Sequence, residues 1–300
     1  MRMLARPAPM SAPGGTSLSA AGADRRIGRM LVERGKLASY DIQRVLDWQQ
    51  KRQLRFGEAA LQLGLLGASD LEQVLRDQYD LPSALAHDTP LHPELVMALQ
   101  PTHVCAEQIR TVRAELSQRL IPGQDGLAAA LAVVSPQPGD GRSWLAANLA
   151  LAWAQLGRRT LLVDADLRRP RQHLLFGVPD HIGLAGVLGG RADRSAVQPL
   201  RHLGPLCLLS AGGCPPNPLD LFTRDAWRHL LRLLRGEFEV VVLDTPAASR
   251  GADAVALACS AGHALVVARQ HATRLDRTEQ LLQRLQCDGT RVAGVLLNAG

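Results

Sequence analysis

Residues 128–148 read AAALAVVSPQPGDGRSWLAAN, and the rest of the chain is organised around them. The apolar run over 127–134 has no polar alternation, which predicts a central parallel strand covered on both faces. A turn rich in Pro and Gly follows, and a helix is predicted to begin at Ser143. Gly139 and Gly141 leave room for backbone N–H groups beside a ligand, and the beginning of the helix carries partial positive charge. This arrangement predicts a cradle for phosphate groups.

The turn matches the phosphate-binding P-loop, G-x-x-x-x-G-K-[ST], only in part. Pro136 stands at the first Gly and Arg142 at the Lys, whereas Gly141 and Ser143 fit the pattern. Arg keeps the positive charge of Lys but is a planar fork. If it is a tolerated substitute, restoring Lys would raise ATP hydrolysis. For the turn alone, an ordinary strand–helix connection is the alternative. The predicted nucleotide-binding residues are Gly139, Asp140, Gly141, Arg142 and Ser143.

Three Asp residues follow apolar strands further along the chain. RRTLLVDADLRRP predicts a strand over 160–163 that delivers Asp164 and Asp166, and FEVVVLDTPAA has the form of a Walker B strand that ends in Asp244. The carboxyl ends of parallel strands meet at one edge of a sheet, where α/β proteins bind ligands. Carboxylates there suit a metal ligand and a general base. With further βα units downstream, we expect about six strands in a mostly parallel, doubly wound α/β sheet.

Composition sets limits on the class of protein. The 300 residues, 46% of them apolar, are enough for one large domain or two, and a net charge of +6 permits an anionic partner without selecting one. The five cysteines show no paired spacing and predict small hydrophobic side chains in a reducing compartment. No apolar run approaches the ~18 residues of a membrane span. Residues 1–24 lack a signal-peptide core, so we expect a disordered arm and a cytoplasmic chain.

An internal repeat occupies the predicted helical domain at 25–80. RIGRMLVERGKLASYDIQRVLDWQ begins at Arg26, and RFGEAALQLGLLGASDLEQVLRDQ begins 29 residues later at Arg55, with Arg, Gly, Leu and Gln positions in register. One copy is too small to bury its apolar face, so the two copies should pack together. A helical docking module would meet that requirement.

The repeat also resembles the N-terminal domain of type II secretion and pilus ATPases, some of which bind cyclic di-GMP. Arginine can stack on guanine or donate to phosphate, so the chemistry agrees with that ligand. The docking module remains the alternative. The ligand residues implied by the resemblance are Arg26, Gly28, Leu31, Gly35, Gln49, Arg55, Gly57, Gly64 and Gln78.

A Pro-rich stretch at 81–102 predicts a linker whose apolar residues could lie against a neighbouring domain. A helix over 103–120 follows it. Glu107, Arg110 and Arg113 have the spacing E-x2-R-x2-R, which places them on one helix face. A solvated face with an intrahelical ion pair is the simplest interpretation.

Four ordered segments carry a second resemblance. They are SPQPGDGRSWLAANLALAWAQLGRRTLLVDADLRRP, FGVPDHIGLAGVLGG, LSAGGCPPNPLDLF and VVVLDTPA. In this order they resemble the bacterial tyrosine kinases of capsule and exopolysaccharide synthesis, in particular the chain-length-determinant branch labelled EpsG. The resemblance covers about residues 103–300. It implies a P-loop ATPase fold, related to deviant Walker A proteins, that binds ATP and Mg²⁺.

The kinase resemblance also implies roles for individual residues. Asp164 would be the base for the tyrosine hydroxyl, and Ser143, Asp166 and Asp244 would complete the Mg²⁺ site. The E-x2-R-x2-R helix serves ring assembly in the family, which would give Glu107, Arg110 and Arg113 an interface role in a homo-oligomer.

Two departures from the kinase pattern leave alternatives open. Arg142 replaces the P-loop Lys, and the family's C-terminal tyrosine cluster is absent, Tyr40 and Tyr79 being the only tyrosines. Without a membrane segment, a separate membrane-embedded chain-length regulator would have to be the partner and anchor. We therefore expect a kinase-like ATPase of exopolysaccharide export or, alternatively, a switch that responds to ATP or cyclic di-GMP without phosphoryl transfer. A DNA-partitioning ATPase is disfavoured because the basic residues are not concentrated, so no nucleic-acid partner is expected.

Overall fold

The computed structural model describes residues 28, 31–32, 35–52, 54–67, 70, 91–120 and 126–299. The chain divides into a repeat unit, Met1–Leu81, and a P-loop unit, Pro82–Gly300, and each is treated by itself. The predicted arm at 1–24 lies outside the described residues, as do Arg26, Gln78 and Tyr79.

The repeat unit is helical, as the sequence predicts. Its helices are α1 (Asp41–Arg52) and α2 (Phe56–Gln62), and Leu31 and Val32 also lie in helical conformation. A small apolar core joins them, made of Leu31, Leu37, Val45, Phe56, Ala59, Ala60 and Leu66.

The two copies of the repeat end their first helices in the same way. Gly35 and Gly64 have φ of 66° and 65°, the left-handed conformation that closes a helix in the Schellman motif. The hydrogen bonds of that motif then recur at the repeat spacing. They run from Gly35 N to Val32 O and from Gly64 N to Leu61 O, and from Lys36 N to Leu31 O and from Leu65 N to Ala60 O. The duplication therefore extends to the backbone.

The P-loop unit contains a seven-stranded sheet in the order β3-β4-β2-β5-β1-β6-β7. All neighbours are parallel except β3, which is antiparallel to β4. The prediction of a mostly parallel α/β sheet is confirmed, and the strand beyond the expected six is a two-residue pairing at the sheet edge. The strands are β1 (Ala130–Val134), β2 (Thr160–Asp164), β3 (Gln198–Pro199), β4 (Leu206–Leu209), β5 (Val240–Asp244), β6 (Gly262–Arg269) and β7 (Arg291–Asn298).

Helices cover both faces of this sheet. Among the residues that the structure describes, no helix is both long enough and apolar enough to cross a membrane. The helices are α3 (Val96–Leu99), α4 (Val104–Arg119), α5 (Arg142–Ala154), α6 (Gln172–Phe176), α7 (Leu184–Leu188), α8 (Pro218–Thr223), α9 (Asp225–Glu237), α10 (Asp253–Ala261) and α11 (Leu275–Cys287).

The central strands are buried along their whole length, which explains their unbroken apolar sequences. In β1, Leu131 and Val133 belong to the core that includes α4 and α5. Ala132 and Val134 belong to the opposite core, which includes α9 and α10. The alternation of side chains along one strand thus builds the two sides of a doubly wound fold.

Part of the predicted linker belongs to the P-loop unit. Leu95 and Met97 are fully buried in its core. The Asn148 side chain on α5 accepts a hydrogen bond from Met97 N (3.1 Å) and donates one to Glu94 O (2.9 Å). The prediction of a linker over 81–102 is therefore wrong for 91–102, where the prolines separate short turns that pack on α5. Residues 81–90 lie outside the described part.

The cysteines are free, as predicted, but they are not uniformly buried. Cys214, Cys259 and Cys287 are exposed, and Cys105 and Cys207 are half-buried. Three of the five thiols predicted to be small hydrophobic side chains therefore face solvent.

Candidate active site

The phosphate loop has the backbone that its glycines suggest. Gly139 and Gly141 have φ of 86° and 102°, values that other residues rarely adopt. The backbone conformation therefore favours Gly at 141, where a Cβ would also lie 2.4 Å from Nδ2 of Asn298 and displace that side chain. Gly141 is the N-cap of α5, which begins at Arg142, one residue before the predicted start. Both glycines line a cleft of about 230 Å³, the phosphate cleft.

Asp140 braces this loop. One carboxylate oxygen accepts a hydrogen bond from Gln137 N (2.8 Å), and the other accepts one from the Thr273 hydroxyl (2.7 Å). Its carbonyl accepts a further bond from the Asn298 side chain (3.1 Å). Asp140 therefore fixes the loop to the turn after β6 through its side chain and to the end of β7 through its carbonyl. What remains for a nucleotide is its backbone N–H.

Arg142 is buried, with 7% of its surface exposed, and is hydrogen-bonded inside the protein. Its Nε donates to Thr245 O at 2.8 Å, and one terminal nitrogen donates to the Ser135 hydroxyl and to Gln137 O. The other terminal nitrogen lies 3.8 Å from Asp166 Oδ2. Arg142 thus joins the phosphate loop to the segment after β5, a connection that only a forked guanidinium can make.

Three carboxylates meet at the carboxyl edge of β2 and β5. The strand register sets Asp164 directly opposite Asp244, and both are fully buried. Asp166, 4% exposed, lines the phosphate cleft together with Ser143, whereas Asp164 lies beneath the cleft. The sequence prediction that these strand ends come together is confirmed by this register.

Burial raises the pKa of all three carboxylates. The pKa of Asp164 is well above its ordinary value, because of burial and then of the nearby Asp244. Burial raises the pKa of Asp244 to about 6, although Arg142, Gln172 and Ser143 each act to lower it. Burial also raises the pKa of Asp166, against backbone N–H donors and Arg142. Burial therefore opposes ionisation of all three carboxylates.

Gln172 is a site residue that the sequence did not reveal. Its Nε2 donates to Asp244 Oδ2 (2.7 Å) and to Ser143 O (3.0 Å), and it has no exposed surface. Its backbone N–H donates to Asp164 Oδ2 at 2.9 Å. Gln172 thus orients both opposed carboxylates from the first residue of α6. No motif marks it, because its role depends on where α6 lies in space.

Arg168 and Asp253 form a second unpredicted pair. The Arg168 guanidinium donates to both carboxylate oxygens of Asp253, at 2.9 and 3.3 Å. Asp253 is fully buried at the beginning of α10. The pair fixes the loop after β2, which carries Asp166, to the beginning of α10.

The residues predicted to hold Mg²⁺ fit that ion. Ser143, Asp166 and Asp244 present hard oxygen ligands, and one oxygen of the neighbouring Asp164 is buried without a hydrogen-bond partner among the described residues. Within the same part of the chain, no three His, Cys, Asp or Glu side chains form a ready metal site. That is expected for Mg²⁺, which usually keeps several waters and completes its shell with phosphate oxygens.

The E-x2-R-x2-R helix is partly engaged within the chain. Arg110 pairs with Glu107 at 2.9 Å, as the simplest interpretation predicts, and also donates to Pro101 O. Arg113 donates to Ala152 O (3.1 Å) at the end of α5. Burial and the nearby Arg110 lower the pKa of Arg113. The Glu107 side chain is 72% exposed and is the member of the three most available to another molecule.

The repeat unit divides the predicted cyclic di-GMP residues into two groups. Leu31 is fully buried, and Gly28 packs so closely on Phe56 that a Cβ would lie 3.2 Å from its ring. Gly57 is buried as well. Arg55, Gly35 and Gly64 are exposed. In this structure the first group fills the interior, and the second group lies at the surface.

A larger cavity of about 660 Å³ opens beside the phosphate cleft. Its walls are mostly apolar and include Ile109, Val112 and Leu297, and Trp144 lines both this cavity and the cleft. Its volume lies in the usual range for small-molecule sites.

Comparison with known sequences finds relatives that are bacterial tyrosine-protein kinases. No profile of a known protein family matches the chain. Tyrosine-protein kinase wzc of Salmonella typhimurium is 29% identical over 206 residues, which is 69% of this chain and 28% of that protein. Tyrosine-protein kinase etk of Escherichia coli K12 is 30% identical over 200 residues, 66% of this chain and 27% of that protein. The chain thus spans little more than a quarter of these relatives.

Comparison with solved structures agrees. The kinase domain of Escherichia coli tyrosine kinase ETK has a TM-score of 0.66 and 29% identity, covering 71% of this chain and 82% of that domain. The P-loop unit is similar in sequence and fold to the kinase domains of bacterial tyrosine kinases. The septum site-determining protein MinD of Pyrococcus horikoshii, complexed with Mg-ADP, matches with a TM-score of 0.51 and 25% identity, over 57% of this chain and 70% of that one. The bacterial tyrosine kinase domain thus shares its P-loop fold with a nucleotide-binding ATPase.

The raised pKa of Asp244 gives a prediction for the protein without nucleotide. A carboxyl whose pKa is about 6 when folded stabilises the folded state below its unfolded pKa of about 4 and loses that contribution as pH rises through 6. Asp244→Asn removes this loss. We expect the variant to exceed the wild type in melting temperature by an amount that grows between pH 5 and 7.5, about 2–4 °C per kcal/mol.

Calorimetry or fluorescence-monitored melting without Mg²⁺ measures the difference. Asp288→Asn, at an exposed position, is the matched control for the loss of one carboxylate. A constant difference for Asp244→Asn would contradict the assignment of an unfavourable charge to this carboxylate.

Proposed function

We propose that this chain is an ATP- and Mg²⁺-dependent kinase-like ATPase that acts with a membrane chain-length regulator in exopolysaccharide synthesis and export. The observation that carries this proposal is the convergence of three carboxylates with raised pKa beneath a phosphate loop at the beginning of α5. A bound divalent cation would favour the ionised form of carboxylates whose ionisation burial opposes. The similarity to named tyrosine-protein kinases supports phosphoryl transfer as the reaction class.

Roles follow for the residues of the cleft. Backbone N–H groups of 139–143 would hold phosphate oxygens, and Ser143, Asp166 and Asp244 would hold Mg²⁺, which stabilises the charge of the transferring phosphoryl group. Asp164 is the proposed base for the tyrosine hydroxyl, the role that the kinase resemblance implies, and burial, which raises its pKa, makes its carboxylate more basic. Because Asp164 is buried, substrate binding must open a path to it, and Asp166 is the cleft-lining alternative.

A regulatory switch is the second candidate, and the contacts of Arg142 favour it. The residue at the catalytic Lys position is held by three hydrogen bonds within the protein. A site built this way could bind ATP and change assembly without efficient transfer. Incubation with Mg²⁺-ATP and a tyrosine-containing peptide, with phosphate release and phosphotyrosine measured separately, distinguishes a kinase from an ATPase or a binding switch.

The proposed setting is a homo-oligomer at the inner face of the cell membrane, held there by the separate regulator. The E-x2-R-x2-R helix is the proposed interface, with Glu107 as its exposed charge. The cavity beside the phosphate cleft would hold the base and ribose of the nucleotide, because it is apolar and adjoins the cleft at Trp144.

Nucleotide binding should be visible through Trp144. The other tryptophans are Trp48 in the repeat unit and the buried Trp153 and Trp227. We expect Mg²⁺-ATP to change the fluorescence of the wild type and to have little effect on Trp144→Phe, while calorimetry shows that this variant still binds.

Ser143→Ala should weaken Mg²⁺-dependent binding at least about tenfold, because it removes one ligand of the ion. Equal affinity for Ser143→Ala and wild type would exclude this metal site.

Assembly should depend on Glu107. Glu107→Lys reverses an exposed charge while leaving the contact of Arg113 with Ala152 in place. We expect light scattering to shift towards smaller particles for this variant and not for Glu279→Lys, an exposed control on α11. An unchanged mass would leave the solvated face as the explanation of the motif.

Cyclic di-GMP remains a proposed ligand of the repeat unit. Arg55 is its exposed predicted contact, and Arg52, also exposed and stacked on Trp48, is a neighbouring control. Titration of the full chain should show micromolar binding that Arg55→Ala abolishes and Arg52→Ala preserves. If no cyclic di-GMP binding is seen at hundreds of micromolar, the docking module remains as the interpretation of the repeat.

A further inference from the structure

Most hydrogen-bond donors of the Arg142 guanidinium are already used within the protein and are not available to a nucleotide. Of its three nitrogens, Nε and one terminal nitrogen already donate to Thr245 O, Gln137 O and the Ser135 hydroxyl. The remaining nitrogen faces Asp166 at 3.8 Å. A phosphate in the cleft could therefore meet only one of its nitrogens, unless the bonds that fix the loop were broken. The charge that a P-loop Lys places on the terminal phosphates must come from elsewhere.

Three more arginines line the phosphate cleft: Arg169, Arg171 and Arg250. Arg171 forms an ion pair with Glu94. In the described part of the chain, neither Arg169 nor Arg250 makes a side-chain hydrogen bond or an ion pair within 4 Å. These two guanidiniums are the unengaged cations of the cleft.

Both arginines project from backbone that is fixed to the site. Arg169 N donates to Asp166 Oδ1 at 3.0 Å, so the carboxylate proposed to bind Mg²⁺ also anchors this residue. Arg250 ends a short 3₁₀ turn, Ala248–Arg250. In that turn Ala248 N and Ser249 N donate to Ser135 O and Pro136 O of the phosphate loop. Arg169 and Arg250 thus combine a backbone held by hydrogen bonds with a side chain that is available to bind a ligand.

Resting on the proposed function, we propose that Arg169 and Arg250 bind the terminal phosphate of the nucleoside triphosphate and supply the charge that Arg142 cannot. Guanidinium groups donate two parallel hydrogen bonds to phosphate oxygens. Cations in that position stabilise the charge of a phosphoryl group during transfer. The proximity of Arg250 to Asp166 agrees with this placement, because its charge acts to lower the pKa of that carboxyl.

The test compares Mg²⁺-ATP with Mg²⁺-ADP on the full chain by calorimetry. In Arg169→Ala/Arg250→Ala we expect ATP affinity to fall at least about tenfold and ADP affinity to change less than about threefold, since only ATP carries the terminal phosphate. The corresponding double Lys variant should recover part of the loss. Arg228→Ala, 71% exposed on α9, is the control and should bind both nucleotides as the wild type does.

Arg142→Lys provides the complementary measurement. Because Lys cannot reach all three acceptors of Arg142, we expect a lower melting temperature and no gain in ATP affinity. Tighter ATP binding with unchanged stability would support the tolerated-substitute interpretation and overturn the inference.

The remaining outcomes separate the inference from the proposed function. Failure of the wild type to bind ATP would defeat both. If the wild type binds ATP and the double alanine variant binds it with the same affinity, only the assignment of the two arginines is contradicted. Equal losses for ATP and ADP would place the contacts on the inner phosphates and overturn the assignment. Unchanged ATP affinity with a raised KM for a tyrosine peptide would assign the arginines to the protein substrate instead.

Discussion

The register between β2 and β5, which sets Asp164 opposite Asp244, is the constraint on which the rest of the site depends. Two buried carboxylates at adjacent strand ends repel each other, and burial makes ionisation of either unfavourable. The surrounding structure reduces this cost without removing it. Gln172 donates to both residues, and Arg142 lies close enough to lower the pKa of Asp244. A fold that keeps such a buried pair beneath a cleft retains strain of the kind found at functional sites.

Arg142, at the position of the P-loop Lys, stabilises the phosphate loop instead of reaching the phosphates. In the P-loop pattern this position holds a flexible ammonium that reaches the phosphates. Here the fork connects the phosphate loop with Thr245 after β5, so the same positive charge becomes part of the framework. The consequence extends to the cleft rim, where Arg169 and Arg250 are left to meet an anionic ligand. Arg for Lys is therefore not a conservative change at this position.

The sequence predicts what depends on local pattern. The unbroken apolar runs of β1, β2 and β5 and the glycines at 139 and 141 follow from burial and backbone conformation. What it misses depends on tertiary contact. Gln172 becomes a site residue only because α6 begins beneath Asp244. The segment at 91–102 looks like a linker because Pro93 and Pro101 interrupt its pattern, although several of its apolar residues pack onto α5.

In the repeat unit, the residues needed for the helical architecture can be distinguished from those that a ligand would need. Gly35 and Gly64 adopt left-handed conformations that end their helices, and that need exists whether or not a nucleotide binds. Gly28 is demanded by close packing on Phe56. Much of the glycine pattern shared with cyclic di-GMP-binding domains is therefore explained by the architecture of the helices. A dinucleotide would therefore have to be recognised by polar side chains such as the exposed Arg55, and the glycines by themselves do not indicate one.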